Sequence, residues 1–111
     1  MSSKPLRTII YIRKQNEENQ KVYEAVYRLI ILVTKNTSLK LVGVLIDSDS
    51  YIWQRPLLKS MYESKKIECI VCDELSELCT DTKTYLEIMM LSDKGLDVLV
   101  FDGGGGLVKI K

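Results

Sequence analysis

The chain has 111 residues, with 16 Lys and Arg against 15 Asp and Glu, so its net charge is +1. That balance excludes a dedicated nucleic-acid-coating surface, which is strongly basic, although a local basic patch stays open. The longest purely apolar run, Leu29 to Val33, excludes a helical membrane span, which needs about 20 such residues.

The length fits one domain spanning residues 1–111. Leu6 to Ile12, apolar and β-branched, predicts a first strand. Val22, Ala25, Val26, Leu29, Ile30 and Val33 recur at spacings of three and four, one face of an amphipathic helix over about Glu17 to Asn36. Leu39 to Ile46 is nearly all apolar and predicts a strand covered on both faces. Asp47 to Gln54 is a polar loop holding Tyr51 and Trp53. Pro56 suits the first turn of a second helix, with Leu57, Leu58, Met61 and Tyr62 inward and Lys65-Lys66 at its end.

Ile67 to Cys72 predicts a third strand, and Asp73 to Thr80 a second polar loop. Asp81 can cap a third helix with Tyr85, Ile88, Met89 and Leu91 facing inward, and Gly95 fits its C′ position. Leu96 to Phe101 is a fourth strand, Gly103 to Gly106 a turn, and Leu107 to Ile110 a short last strand. Strands separated by helices need right-handed crossovers and form a parallel sheet. The expected fold is a three-layer α/β/α domain with strand order 2-1-3-4. The link before the last strand is too short for a crossover, so that strand belongs antiparallel on the edge.

No apolar signal core follows Met1 to Pro5. Cys69, Cys72 and Cys79 are odd in number, without a scaffold spacing. Reduced thiols in the cytoplasm are the expectation. Cys69 and Cys72 lie three apart in a strand and so point to opposite faces. The chain has no histidine, and no zinc set is completed. A carboxylate rim, Asp47, Asp49, Asp73, Glu74 and Glu77, has the oxygen ligands a divalent cation takes, but a solvated or ion-paired rim is the simpler reading. The four glycines lead into a strand, not a helix, which argues for a hairpin and against a phosphate cradle. The lysines flanking the elements, Lys35, Lys40, Lys65, Lys66, Lys109 and Lys111, serve solubility.

Three landmarks carry a family resemblance. The first strand ends in Tyr11-Ile12-Arg13. The loop after the second strand opens with Asp47 and closes with Arg55-Pro56-Leu57-Leu58. The third strand ends in Asp73-Glu74-Leu75-Ser76-Glu77. Together they resemble the signatures of the serine recombinase (resolvase/invertase) catalytic domain: Tyr-x-Arg-x-Ser, Arg-Pro-x-Leu and Asp-Arg-Leu-x-Arg. In that family the serine attacks a DNA phosphate and the arginines hold it.

The departures are as informative. The serine position is Gln15, whose neutral amide is a poor nucleophile, and Ser76 sits on a different strand end. Arg13 and Arg55 remain by position, but Glu74 and Glu77 stand where the family has arginines. At about 5 Å and an effective dielectric of ~20, each carboxylate repels a unit phosphate charge by roughly 3 kcal/mol. Arg13 and Arg55 are expected to pair instead with Glu74, Glu77 or Asp73. On this reading, Glu74→Arg with Glu77→Arg creates an anion site. Family members continue into a long dimer-forming helix and a DNA-binding domain, and the sequence ends at Lys111, so neither is expected to take part.

The resemblance implies a catalytically inactive recombinase-like domain tied to a mobile element, with no cofactor and no metal. Its expected partner is another copy of itself or a full-length recombinase, through Tyr51 and Trp53 as interaction candidates. An accessory subunit with weak DNA contact but no strand cleavage is the second reading. A small metal- or nucleotide-dependent enzyme using the carboxylate rim is the third.

Overall fold

The computed structural model describes residues 4–14, 18–48 and 55–110. The elements run β1 (Leu6–Lys14), α1 (Asn19–Lys35), β2 (Leu39–Ser48), α2 (Arg55–Glu63), β3 (Cys69–Cys72), α3 (Leu75–Leu78), α4 (Thr82–Asp93), β4 (Asp97–Phe101) and β5 (Leu107–Lys109). They form one sheet in the order β2-β1-β3-β4-β5. The first four strands pair in parallel, and β5 runs antiparallel on β4. This is the expected α/β architecture with its antiparallel edge.

The strand alternation sorts the core into two layers. Ile9, Tyr11, Ile70, Cys72 and Val98 face Leu58 and Tyr62 of α2, Leu78 of α3 and Ile88 of α4. Ile10, Ile12, Cys69 and Val71 face Val22, Ala25, Leu29 and Val33 of α1. Cys69 and Cys72 therefore do point to opposite layers. Burial pushes the Cys69 thiol up to about 12 and raises Cys72 as well, so both behave as small apolar side chains.

One irregularity sets the phase of the sheet edge. Thr8 pairs with Leu41 and Ile9 with Gly43, so Val42 is an extra residue in β2, a β-bulge. Before it, Leu39 and Leu41 face the α1 layer; after it, Val44 and Ile46 do. The bulge shifts the inward set from odd to even numbers and leaves Val42 exposed. It also turns Asp47 to the α2 side, onto Tyr11.

Two corrections concern the chain between β3 and β4. The loop expected over Asp73 to Thr80 contains the single turn α3. In α4, Ile88 is buried and Met89 and Leu91 are partly so, but Tyr85 is 42% exposed, not inward. The cap is as expected: the Asp81 carboxylate accepts a hydrogen bond from Thr84 N at 2.7 Å.

Helices α2 and α4 end alike. Gly95 N donates to Ser92 O and Leu96 N to Leu91 O, while Lys65 N donates to Tyr62 O and Lys66 N to Met61 O. Both are Schellman motifs with a left-handed C′ residue. Gly95 has φ 111°, and the other position is Lys65 at φ 60°. A side chain there is strained where glycine is not. Lys65→Gly is therefore expected to raise stability by about 0.5–1 kcal/mol, read as a higher urea midpoint at unchanged slope. A lower midpoint would contradict the assignment.

Candidate functional site

In an open parallel sheet, ligands bind beyond the carboxyl ends of the strands where the order reverses. Here β1 leads out to β2 on one side and β3 lies on the other. The ends of β1 and β3 and the turn α3 therefore converge at that point, and they bring together Arg13, Lys14, Asp73 and Glu77.

Lys14 Nζ sits 2.9 Å from Asp73 Oδ2 and 3.0 Å from Glu77 Oε2. Arg28, reaching over from α1, places Nη2 2.8 Å from Asp73 Oδ1. Glu77 Oε1 accepts the backbone N–H of Arg13 at 2.8 Å. Asp73 and Glu77 are both buried. Each oxygen of the two carboxylates thus has a donor. The α3 turn makes this possible, because it rolls Glu77 back toward the end of β1.

The electrostatics follow. Burial acts to raise Asp73, but the Arg28 and Lys14 hydrogen bonds outweigh it and hold the carboxyl below its ordinary value. For Glu77 burial dominates, and its carboxyl is raised despite the bonds from Arg13 N and Lys14. Burial works to lower Lys14, yet its two carboxylate partners keep the ammonium above the ordinary range.

These shifts give a pH dependence with a definite sign. The stability contributed by Asp73 is complete above its ordinary value of 3.8 and is lost as pH falls through its depressed folded value. Glu77 acts oppositely: its raised folded value means the native state takes up that proton first, above 4.5, and gains relative to the unfolded chain as pH falls. Acid lability attributable to this pair therefore sets in below 3.8. Asp73→Asn is expected to lower stability by about 2 kcal/mol at neutral pH, with the difference from the parent closing below 3.8 in denaturation measured across pH. A difference that stayed constant would contradict the assignment.

A second group lies on the α2 side of the sheet. The Tyr11 hydroxyl donates to Asp47 Oδ2, and the Arg55 guanidinium lies over the Tyr11 ring at 5.6 Å from its centroid. Burial, followed by the Asp47 hydrogen bond, raises the Tyr11 phenol, so Tyr11 is a neutral donor. Arg55 Nη1 is buried with no hydrogen-bond partner among the described residues.

The residues singled out by sequence are thus divided. Arg13 meets Glu77 through its backbone, and Arg55 packs on Tyr11. The expected partners of Asp73 and Glu77, the Arg13 and Arg55 side chains, are replaced by Lys14 and Arg28. Glu74 is exposed and borders an open polar pocket with Arg28, Asp73, Phe101 and Asp102. Gln15, Asp49, Tyr51 and Trp53 lie outside the described residues. Lys14 and Arg28 were missed because neither is a family landmark. One signal was available for Lys14: it follows Ile12 by two, which puts it on the α1 side of β1.

Among the described residues no three His, Cys, Asp or Glu side chains are grouped to hold a metal ion. Asp102 is occupied by its own turn, accepting from Gly104 N at 2.7 Å and Gly106 N at 3.0 Å. That turn delivers β5 antiparallel onto β4, as a hairpin. No helix among the described residues is long and apolar enough to cross a membrane.

No protein-family model matches the chain, and no curated protein is significantly similar to it.

Proposed function

We propose that this chain is a catalytically inactive serine-recombinase-like domain that works by binding protein, either another copy of itself or a full-length recombinase of a mobile element. One observation carries the reading. At the strand ends where such a fold would hold phosphate, Asp73 and Glu77 are buried and satisfied by Lys14, Arg28 and the Arg13 backbone N–H. Phosphoryl transfer needs converging positive charge and an activated nucleophile. Here Lys14 of β1 and Arg28 of α1 are already paired with internal carboxylates, and Gln15 stands at the nucleophile position.

The partner that fits is a full-length recombinase carrying its own intact active site, whose assembly this domain would join without adding chemistry. A second reading has one observation in its favour. Arg55 keeps a buried Nη1, and Arg28 a buried Nε, without a partner among the described residues. That supports an accessory subunit that touches a DNA phosphate.

Duplex DNA at about 50 mM salt separates the two, because low salt favours phosphate contacts. The inactive protein-binding reading expects neither a covalent protein–DNA adduct nor a mobility shift. A shift abolished by Arg55→Ala establishes the accessory role instead. A covalent adduct overturns both.

A further inference from the structure

We propose that the outer edge of β2, with the flank of α1 above it, is a self-association surface on which two copies of the chain pair β2 antiparallel to β2. The two edges of the sheet differ. β5 is three residues long and carries the exposed Lys109, and both features blunt an edge. β2 runs ten residues and, among the described residues, pairs only with β1. Lys40 and the bulge at Val42 guard its first half, but Gly43 to Ile46 holds no charge and no proline. Val44, Leu45 and Ile46 pack against the two core layers yet stay only partly buried, as side chains on an uncovered edge do.

The helix continues this surface. Arg28 reaches from α1 to Asp73 at the end of β3 and lies over the Phe101 ring of β4, 4.6 Å from its centroid, so its side of α1 faces the sheet centre. Val26 and Ile30 stand two residues either way, about 160° around the helix, and so lie on the other flank, in the same core layer as Val44 and Ile46. Tyr27, 67% exposed, lies one turn from Ile30 on the outer shoulder of that flank.

A second copy is the occupant that matches both parts. An extended peptide alone would complete the edge and leave the flank of α1 bare. Helix α1 packs on β1 and β2 about equally, so its axis stands half a strand spacing inside β2, and a two-fold axis stands half a spacing outside. With strands ~4.8 Å apart, the two α1 axes come about 10 Å apart, the distance at which helices pack. Tyr27 and Ile30 of each copy then fill the seam between the helices. The same patch serves both copies and the pair closes on itself. Strand edge and flank together bury roughly 1,000 Å², the lower bound for a stable contact, which places the affinity in the micromolar range. This names the surface for the self-binding part of the proposed function and rests on that reading.

Sedimentation equilibrium and amide hydrogen exchange of the full chain test this, with thermal unfolding at low concentration as the folding control. The expected result is a monomer–dimer equilibrium with Kd of about 10 µM. As concentration rises through that value, amides within Gly43 to Ile46 exchange more slowly. Tyr27→Glu sets like charges into the seam and is expected to weaken pairing ~100-fold. Since Tyr27 is exposed, its melting temperature stays at the parent value. Tyr85→Glu, at an exposed tyrosine of α4 in the opposite layer, leaves the Kd unchanged. A chain that is monomeric at ~1 mM, a dimer indifferent to Tyr27→Glu, or protection that arises outside β2 overturns the proposal. The inactive-domain reading is decided separately, by the covalent adduct on duplex DNA, so either conclusion can fail without the other.

Discussion

Replacing Lys14 by methionine lowers the unfolding free energy by about 3–5 kcal/mol, the range for removing one partner of a buried ion pair. The Lys14 side chain is 17% exposed and those of Asp73 and Glu77 are 9% and 5%. Without the ammonium, two buried carboxylates face each other. Asp73 keeps the partly exposed Arg28 and Glu77 keeps the Arg13 N–H. Neither replaces a shared cation at 2.9 to 3.0 Å. The surface pairs behave differently. Lys59 with Glu87 and Lys109 with Asp97 are solvent-screened, and such pairs contribute under about 1 kcal/mol each. Neutralising the three buried members, Lys14→Met with Asp73→Asn and Glu77→Gln, is expected to recover most of the loss, because the one charge left in the group, Arg28, is 40% exposed. Urea denaturation of the single and triple variants reads both effects. A single-variant loss below about 1 kcal/mol would mean the network is surface-like.

Deleting Val42 is expected to destabilise the chain by about 3 kcal/mol or more, because a one-residue slip moves a strand's inward set to the other face. With the bulge gone, the two halves of β2 cannot both keep their register. If Val44 and Ile46 leave the α1 layer, Asp47 leaves Tyr11. If Leu39 and Leu41 leave it instead, the start of the strand loses its packing. A buried Tyr11 hydroxyl without Asp47 adds about 1–3 kcal/mol. Val42→Ala, which keeps the extra residue and alters only an exposed side chain, is expected to change stability by under about 0.5 kcal/mol. Equal effects from deletion and alanine would show that the bulge does not set the phase.

The bulge also explains what could not be read from the sequence. Every residue from Leu39 to Ile46 except Lys40 and Gly43 is a large apolar one. The period-two signal therefore has no phase there, and nothing local reveals that the inward set changes at Val42. In β3 the pattern is legible: the three-residue spacing of Cys69 and Cys72 puts them on opposite layers. Link lengths alone separate the crossovers from the β4–β5 hairpin.

The polar site was half legible. The landmarks pointed to the strand ends, and the opposite charges at Asp73 and Glu77 pointed to internal pairing. The cations were misassigned because pairing at that point joins residues far apart in sequence, Lys14 with Glu77 and Arg28 with Asp73. As a loop, this stretch carries nothing in sequence that separates the buried Glu77 from the exposed Glu74. Its burial beside Lys14 changes what the double arginine substitution does. Glu77→Arg would set a second cation against Lys14 and unfold the chain before it created an anion pocket, while Glu74→Arg is tolerated.

Titration of the full chain with inorganic phosphate, followed by calorimetry at low ionic strength, tests the internally neutralised site most directly. With Asp73 and Glu77 holding Lys14 and Arg28, no saturable binding is expected below about 10 mM. Saturable binding in the micromolar range, lost in Lys14→Met or Arg28→Ala, would show that these cations remain available to a phosphate and would contradict the account.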